Sequence, residues 1–278
     1  MQLGIFAKTF TAAGALPVLR AVADAGYAAA QFNMACLGLP SMPDSIEPDV
    51  ARSVAEASSQ TGVLIAAVSG TYNMIHPDRS VRVSGLARLE VLAASCADIG
   101  TRLITLCTGT RDAQDQWRWH PDNASEAAWS DLRKEMEAAI AIADRFDVEL
   151  GIEPELANVV SSARAARRLL NEMNSKRLRI VLDPANLFEV ADAAERHRLI
   201  DEAVGLLAGE IGMAHAKDRH ADGSFAAVGQ GVVDFPHFIS RLKAARFDGP
   251  LITHGLTEAE APDVGAFLRG VLEESGKA

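Results

Sequence analysis

Short apolar runs alternate with longer stretches whose apolar positions recur every three or four residues, and the alternation repeats eight times along the chain. The runs Leu3–Ala7, Ala28–Phe32, Leu64–Ser69, Leu103–Cys107, Glu149–Glu153, Arg179–Asp183, Ile211–His215 and Pro250–His254 read as strands. Between them Gly14–Ala25, Pro48–Thr61, Arg79–Ile99, Asn123–Phe146, Ser161–Met173, Asp192–Leu207, Phe235–Ala245 and Glu258–Glu274 carry helical periodicity. Pro48 after Glu47, with Asp49 in the first turn, marks a helix start. Gly26, Gly62 and Gly100 fall just past periodic segments, where a helix C-terminus favours a left-handed residue.

Strand, helix, strand in succession forces a parallel sheet with crossover helices. Eight units of about 35 residues fit closure into a barrel. The expected fold is therefore α/β, a single (β/α)8 TIM barrel spanning residues 1–278 as one domain. An open doubly wound sheet is the competitor, and its dinucleotide-binding form calls for G-x-G-x-x-G after the first strand. The sequence after Ala7 reads KTFTAAGAL instead. No Pro- or Gly-rich linker and no low-complexity tract divides the chain.

Composition adds limits. Hydrophobic residues make up 49% of the chain and aromatics only 5%, so Ala, Val, Leu and Ile must build the core. A net charge of −10 argues against a nucleic-acid partner, which wants a basic face. Cys36, Cys96 and Cys107 form an odd, widely spaced set without C-x-x-C, as suits a reducing cytoplasm. No apolar run approaches a membrane span, and Met1 leads straight into a strand without a basic leader segment. A cytoplasmic protein without a membrane partner is expected, and a homo-oligomer stays open.

The chemistry gathers where strands end. In a parallel barrel the strand C-termini converge on one face, so acids and imidazoles distant in sequence meet there. The last four strands end GIEPE, VLDPAN, MAHAKD and LITHG, offering Glu153, Asp183, His215 and His254. Two carboxylates and two imidazoles suit a divalent ion such as Mn, Zn, Fe, Co or Mg. Taken singly, each has a plainer reading as a turn acid or a hydrogen-bonded core histidine; four consecutive strand ends make the set more telling than its parts.

These residues carry a resemblance. IEPE, VLDPANL, HAKD and the later GQGVVDFPHFISRL resemble the xylose isomerase-like barrel superfamily of sugar phosphate isomerases and epimerases, which includes tagatose 3-epimerase, inosose dehydratase and endonuclease IV. The resemblance covers nearly the whole chain. It implies that Glu153, Asp183 and His215 are metal ligands and that Glu153 moves a proton on carbon. It also implies a glutamate at the end of strand eight, where this chain has His254. Imidazole can still bind metal, but it removes one carboxylate and one negative charge, leaving a stronger Lewis acid. A metal-bound imidazole has no free lone pair to act as base. Glu155, two residues past Glu153, is the candidate for a second catalytic carboxylate, or else a solvated loop acid.

Other polar residues near strand ends make a substrate wall for a sugar or polyol: Lys8, Asn33, Tyr72, His76, Arg111, His120, Asn186 and Lys217. Trp117 or Trp119 could stack on a sugar face, and Trp119 to Asn123 reads equally as a helix start capped by Asn123. Lys217 and Arg111 suit a phosphate or carboxylate, or a neighbouring acid. Cys107 reads as a buried small hydrophobe. The expected function is a metal-dependent isomerase or epimerase of a sugar, sugar phosphate or related polyol. Rivals are a dehydratase on the same site, an endonuclease IV-like phosphodiesterase, and a non-catalytic sugar-binding barrel.

Overall fold

In the computed structural model, residues 1–275 of which are described here, eight parallel strands close into a barrel. They are β1 (Gln2–Phe6), β2 (Ala29–Phe32), β3 (Leu64–Ser69), β4 (Leu103–Leu106), β5 (Glu149–Ile152), β6 (Leu178–Leu182), β7 (Ile211–Ala216) and β8 (Pro250–Thr253). The helices between them are α1 (Ala15–Asp24), α2 (Pro48–Thr61), α3 (Arg79–Ile99), α4 (Glu126–Phe146), α5 (Ala163–Met173), α6 (Ala193–Leu207), α7 (Phe235–Ala244) and α8 (Ala261–Glu274). Closure is made by β1 pairing with β8, Gln2 opposite Pro250 through Ile5 opposite Thr253. This is the expected (β/α)8 barrel, and no described helix is long and apolar enough to cross a membrane.

Successive strand side chains point to opposite faces, which divides the apolar residues into two cores. One set, including Ile5, Ile65, Ile104, Leu150, Ile180, Leu182 and Leu251, packs with the helices in the large outer core. The alternate set, Ala29, Ala67, Leu103, Val181, Met213 and Ile252, forms a separate small cluster that fills the barrel. Gly4 belongs to this crowded interior: a Cβ there would lie 2.4 Å from Ile252 Cδ1.

Moving two residues along from each member of that inner cluster reaches a polar layer. Ala29 leads to Gln31, Ala67 to Ser69, Leu103 to Thr105, Val181 to Asp183, Met213 to His215 and Ile252 to His254. On β5 the same step runs from Gly151 to Glu153 and then to Glu155. The site is thus a consequence of strand periodicity: apolar below, polar above, at the C-terminal mouth.

α4 starts later than its pattern suggests. Ser125 is its N-cap, accepting from Ala128 N, while Asn123 lies in a short 3-10 turn. The Asn123 amide is taken up by Thr110, by the Arg111 backbone N–H and by the Ala157 carbonyl. Long-range loop contacts have claimed the residue that would otherwise cap the helix.

Candidate metal centre

Glu153, Asp183 and His254 each sit one residue past the end of β5, β6 and β8, and His215 lies inside β7. One ligand atom from each converges with the others, all within 4.8 Å of one another. Nδ1 of His215 is 3.1 Å from Glu153 Oε1, and Nε2 of His254 is 3.6 Å from Asp183 Oδ2.

The donors fit a cation. Asp183 Oδ2 and His254 Nε2 are buried and have no hydrogen-bond partner, though a buried polar atom ordinarily has one. An ion bound by oxygen and nitrogen at about 2.1 Å would bring its donors to roughly 3–4 Å of each other, close to the spacing found here. Asp183 Oδ1, by contrast, is satisfied by Ala185 N at 2.9 Å. One oxygen shapes the turn and the other faces the tetrad.

Around this centre lie Asn186 and Lys217. The Asn186 Nδ2 donates to Glu153 Oε1 at 2.9 Å, and its Oδ1 accepts from Lys217 Nζ at 2.7 Å. Lys217 Nζ is also 3.3 Å from Asp183 Oδ2 and 3.9 Å from Glu155 Oε2. Glu155 is therefore turned toward the site, with its side chain 16% exposed, and is not a solvated loop acid.

Burial makes every charge here costly, and the neighbours decide which groups bear one. Asp183 is buried, yet Lys217, His254 and His215 hold its carboxyl well below the usual range. Glu153 is also held low, with His215 and Lys217 outweighing burial and the repulsion of Asp183. Glu155 is pushed up to about 7 by burial, with Glu153 and Asp183 adding repulsion that Lys217 only partly offsets. Lys217 stays protonated despite burial, because three acids surround it. His254 is pushed below its usual value by burial and by His215 and Lys217, which leaves a neutral imidazole with a lone pair to offer.

The remaining wall residues make contacts of their own around the barrel mouth. Tyr72 is buried against Gly85, and its hydroxyl donates to Glu135 of α4. Arg111 pairs with Asp131 at 2.8 Å and donates to the Ile75 carbonyl, so its charge is committed to the loop framework. Asn33 caps a 3-10 turn through Ala35 N, and His120 does the same through Asp122 N. His76 contacts the Ala113 carbonyl and lines a side cavity of about 570 Å³ between the loops after β2, β3 and β4. Lys8 is exposed in the turn after β1, and Trp117 and Trp119 are exposed on the loop after β4. Cys107 is buried, its thiol pushed up to about 12 by burial, consistent with a packing role.

Sequence reasoning missed two residues. Phe225, on a two-stranded hairpin of Asp218–Arg219 and Phe225–Ala226, is exposed and covers Lys217 Nζ at 4.8 Å from its ring centre. Gln31 of β2 reaches across the barrel, with Oε1 2.8 Å from His215 Nε2. The one available signal was a lone amide in the buried strand AAQF.

The family model described as xylose isomerase-like TIM barrel matches residues 19–269. No curated protein matches the sequence. Among solved structures the chain is similar to a 3-keto-D-glucoside 4-epimerase from E. coli, at TM-score 0.74 and 18% identity over 100% of both chains. It is also similar to a D-tagatose 3-epimerase-like protein, at TM-score 0.79 and 14% identity over 100% of this chain and 99% of that one. A third is the IOLI protein with a binding zinc atom, at TM-score 0.72 and 16% identity over 99% of each chain. At these identities the likeness is one of fold.

Proposed function

The chain belongs to the xylose isomerase-like TIM barrel family, and from that premise we propose that it is a metal-dependent isomerase or epimerase of a sugar, sugar phosphate or related polyol. The observation that carries this reading is the convergence of Glu153, Asp183, His215 and His254 within 4.8 Å at the barrel mouth. Those four residues would hold the ion, one of Mn, Zn, Fe, Co or Mg. When bound, it would supply Lewis acidity toward the adjacent hydroxyl and carbonyl oxygens of the substrate.

Proton transfer falls to this chain's own groups. Glu153 Oε1 accepts from Asn186 Nδ2 and lies beside His215 Nδ1, leaving Oε2 without a hydrogen-bond partner among the described residues. It is held ionised, as a base that removes a proton from carbon must be. Glu155 is held nearer to neutrality and can return a proton, so the two carboxyls are tuned apart as acid and base. Lys217 offers its ammonium to a substrate oxygen, and Asn186, braced by Lys217, orients Glu153. The similarity in fold to proteins named as sugar epimerases agrees with a small-molecule sugar substrate.

The second reading is a dehydratase, favoured by His254 standing where the resemblance implies a glutamate. Loss of water next to a carbonyl needs one strong base at carbon, and Glu153 supplies it. A phosphodiesterase is supported less: two or three metals serve that chemistry, and a single donor cluster forms among the described residues.

A panel of ketoses, keto-glycosides and polyols incubated in deuterium oxide with added Mn or Zn tests the reading. Reversible exchange of solvent deuterium into the substrate carbon is expected, and Glu153→Gln should lower it by about 10²–10⁴-fold. Water loss without exchange would favour the dehydratase. Neither reaction across the panel would leave a binding protein.

A further inference from the structure

Gln31 is 7% exposed and lies on the side of the barrel opposite β5 to β7. The register of β2 against β3 shifts between Ala30 and Gln31, an irregularity of the kind that re-aims a side chain. Its Nε2 faces two hydroxyls, Ser69 Oγ at 3.0 Å and Thr105 Oγ1 at 3.2 Å. Its Oε1 faces His215 Nε2 at 2.8 Å. Strands β2, β3, β4 and β7 thus contribute one connected network across the polar layer.

The orientation of the amide follows from counting donors. With Nε2 toward Ser69 and Thr105, both amide hydrogens find an oxygen and Oε1 is left to accept one more. Flipped, the amide would turn two hydrogens toward a single ring nitrogen, leaving one buried donor without a partner. In the satisfied orientation Oε1 takes only a donor, so His215 Nε2 carries a hydrogen. The free lone pair then belongs to Nδ1, which is the nitrogen beside Glu153.

We propose that Gln31 is a positioning residue that fixes the His215 tautomer and ring orientation, so that Nδ1 is the nitrogen offered to the metal. The inference rests on the metal reading given above. Outer partners of this kind orient a ligand imidazole through its second nitrogen, and removing one commonly weakens metal affinity 10–100-fold. Gln31 does so through a neutral amide braced by two hydroxyls. The imidazole is thereby oriented without a further buried negative charge beside Glu153 and Asp183.

Zinc affinity by chelator competition is the test, on the parent, Gln31→Leu and Gln31→Glu. Leu fills the space without an acceptor and should bind zinc about 10–100-fold more weakly. Glu keeps an acceptor at the same place and should bind at least as tightly as the parent. Equal affinity in parent and Gln31→Leu overturns the inference, and so does an equal loss in both variants, which would mean a packing role. If Gln31→Leu fails to fold, nitrogen-15 histidine spectra of the zinc-loaded parent decide, with His215 assigned by His215→Asn. A hydrogen on Nε2 and a metal-shifted Nδ1 are expected; the reverse overturns the inference. A parent that binds no zinc fails the metal reading and removes this inference with it, whereas zinc bound equally without Gln31 fails this inference alone.

Discussion

His254 shows how one side chain sets the chemistry of a site. Its imidazole packs edge-on against His215 at 4.5 Å and faces Asp183, inside a wall that also holds Lys217. Protonating it would add a cation beside another, so burial, His215 and Lys217 outweigh Asp183 and keep it neutral to lower pH than a free histidine. A ligand imidazole must be neutral, so falling pH sets protons against metal at His254. We expect metal affinity to drop only once pH falls below the ordinary histidine value, about 6.5. His254→Glu puts a carboxylate there, which stays ionised to lower pH, so the variant should hold metal further into acid. Metal release followed against pH for both proteins checks this, and superimposable curves would place His254 outside the coordination sphere. The four donors were legible because each follows an apolar strand by the two-residue period and is itself an acid or imidazole. Gln31 obeys the same period, but a neutral amide in a strand has no charge to draw notice. Only the folded barrel brings it to His215, 184 positions away.

Elements of secondary structure were legible nearly to the residue where caps are local. Pro48, Gly62 and Gly100 bound α2 and α3 as their sequence signals suggest. Loops were less so, because their organisers act at a distance. In the loop after β7, Asp218 is fully buried and its carboxylate accepts from the backbone N–H groups of Arg219, Gly229, Gly231 and Val233. This explains the G-x-G of GQGVVD. Gly229 takes φ +84°, and a Cβ on Gly231 would fall 2.2 Å from the Arg219 carbonyl oxygen and 2.3 Å from Asp218 Oδ1. The Asp of HAKD therefore folds the loop and the hairpin bearing Phe225, and does not join the tetrad. Asp218→Ala should cost about 2–4 kcal/mol, since it strands several buried donors at once. Denaturant unfolding measures this, and limited proteolysis should cut the variant first between Arg219 and Val233. A variant within about 0.5 kcal/mol of the parent, the range of an ordinary surface change, would show that the loop is held by other contacts.

At the scale of the whole molecule, the barrel is a ring whose two ends meet only when Gln2 pairs with Pro250, a contact no local pattern encodes. The count of eight strand–helix units predicts closure, but the register that aims four donors at one point is a property of the closed ring. The tetrad ties β5, β6, β7 and β8, half the wall, to a single point. In the folded chain two buried polar atoms there lack hydrogen-bond partners, and the carboxylates of Glu153 and Asp183 repel one another. A bound cation would answer both costs, so metal should stabilise the entire fold as well as the site. A ligand that binds only the folded state at a hundred times its dissociation constant adds about 2.7 kcal/mol. For a domain of this size each kcal/mol moves the melting midpoint by roughly 2–4 °C, giving a rise of roughly 5–10 °C. Thermal unfolding of chelator-treated protein with and without zinc checks this, with Asp183→Ala as the control that should lose the shift. A parent midpoint that moves by less than about 1 °C would mean that the four donors hold no ion tightly, since even modest affinity registers on this scale.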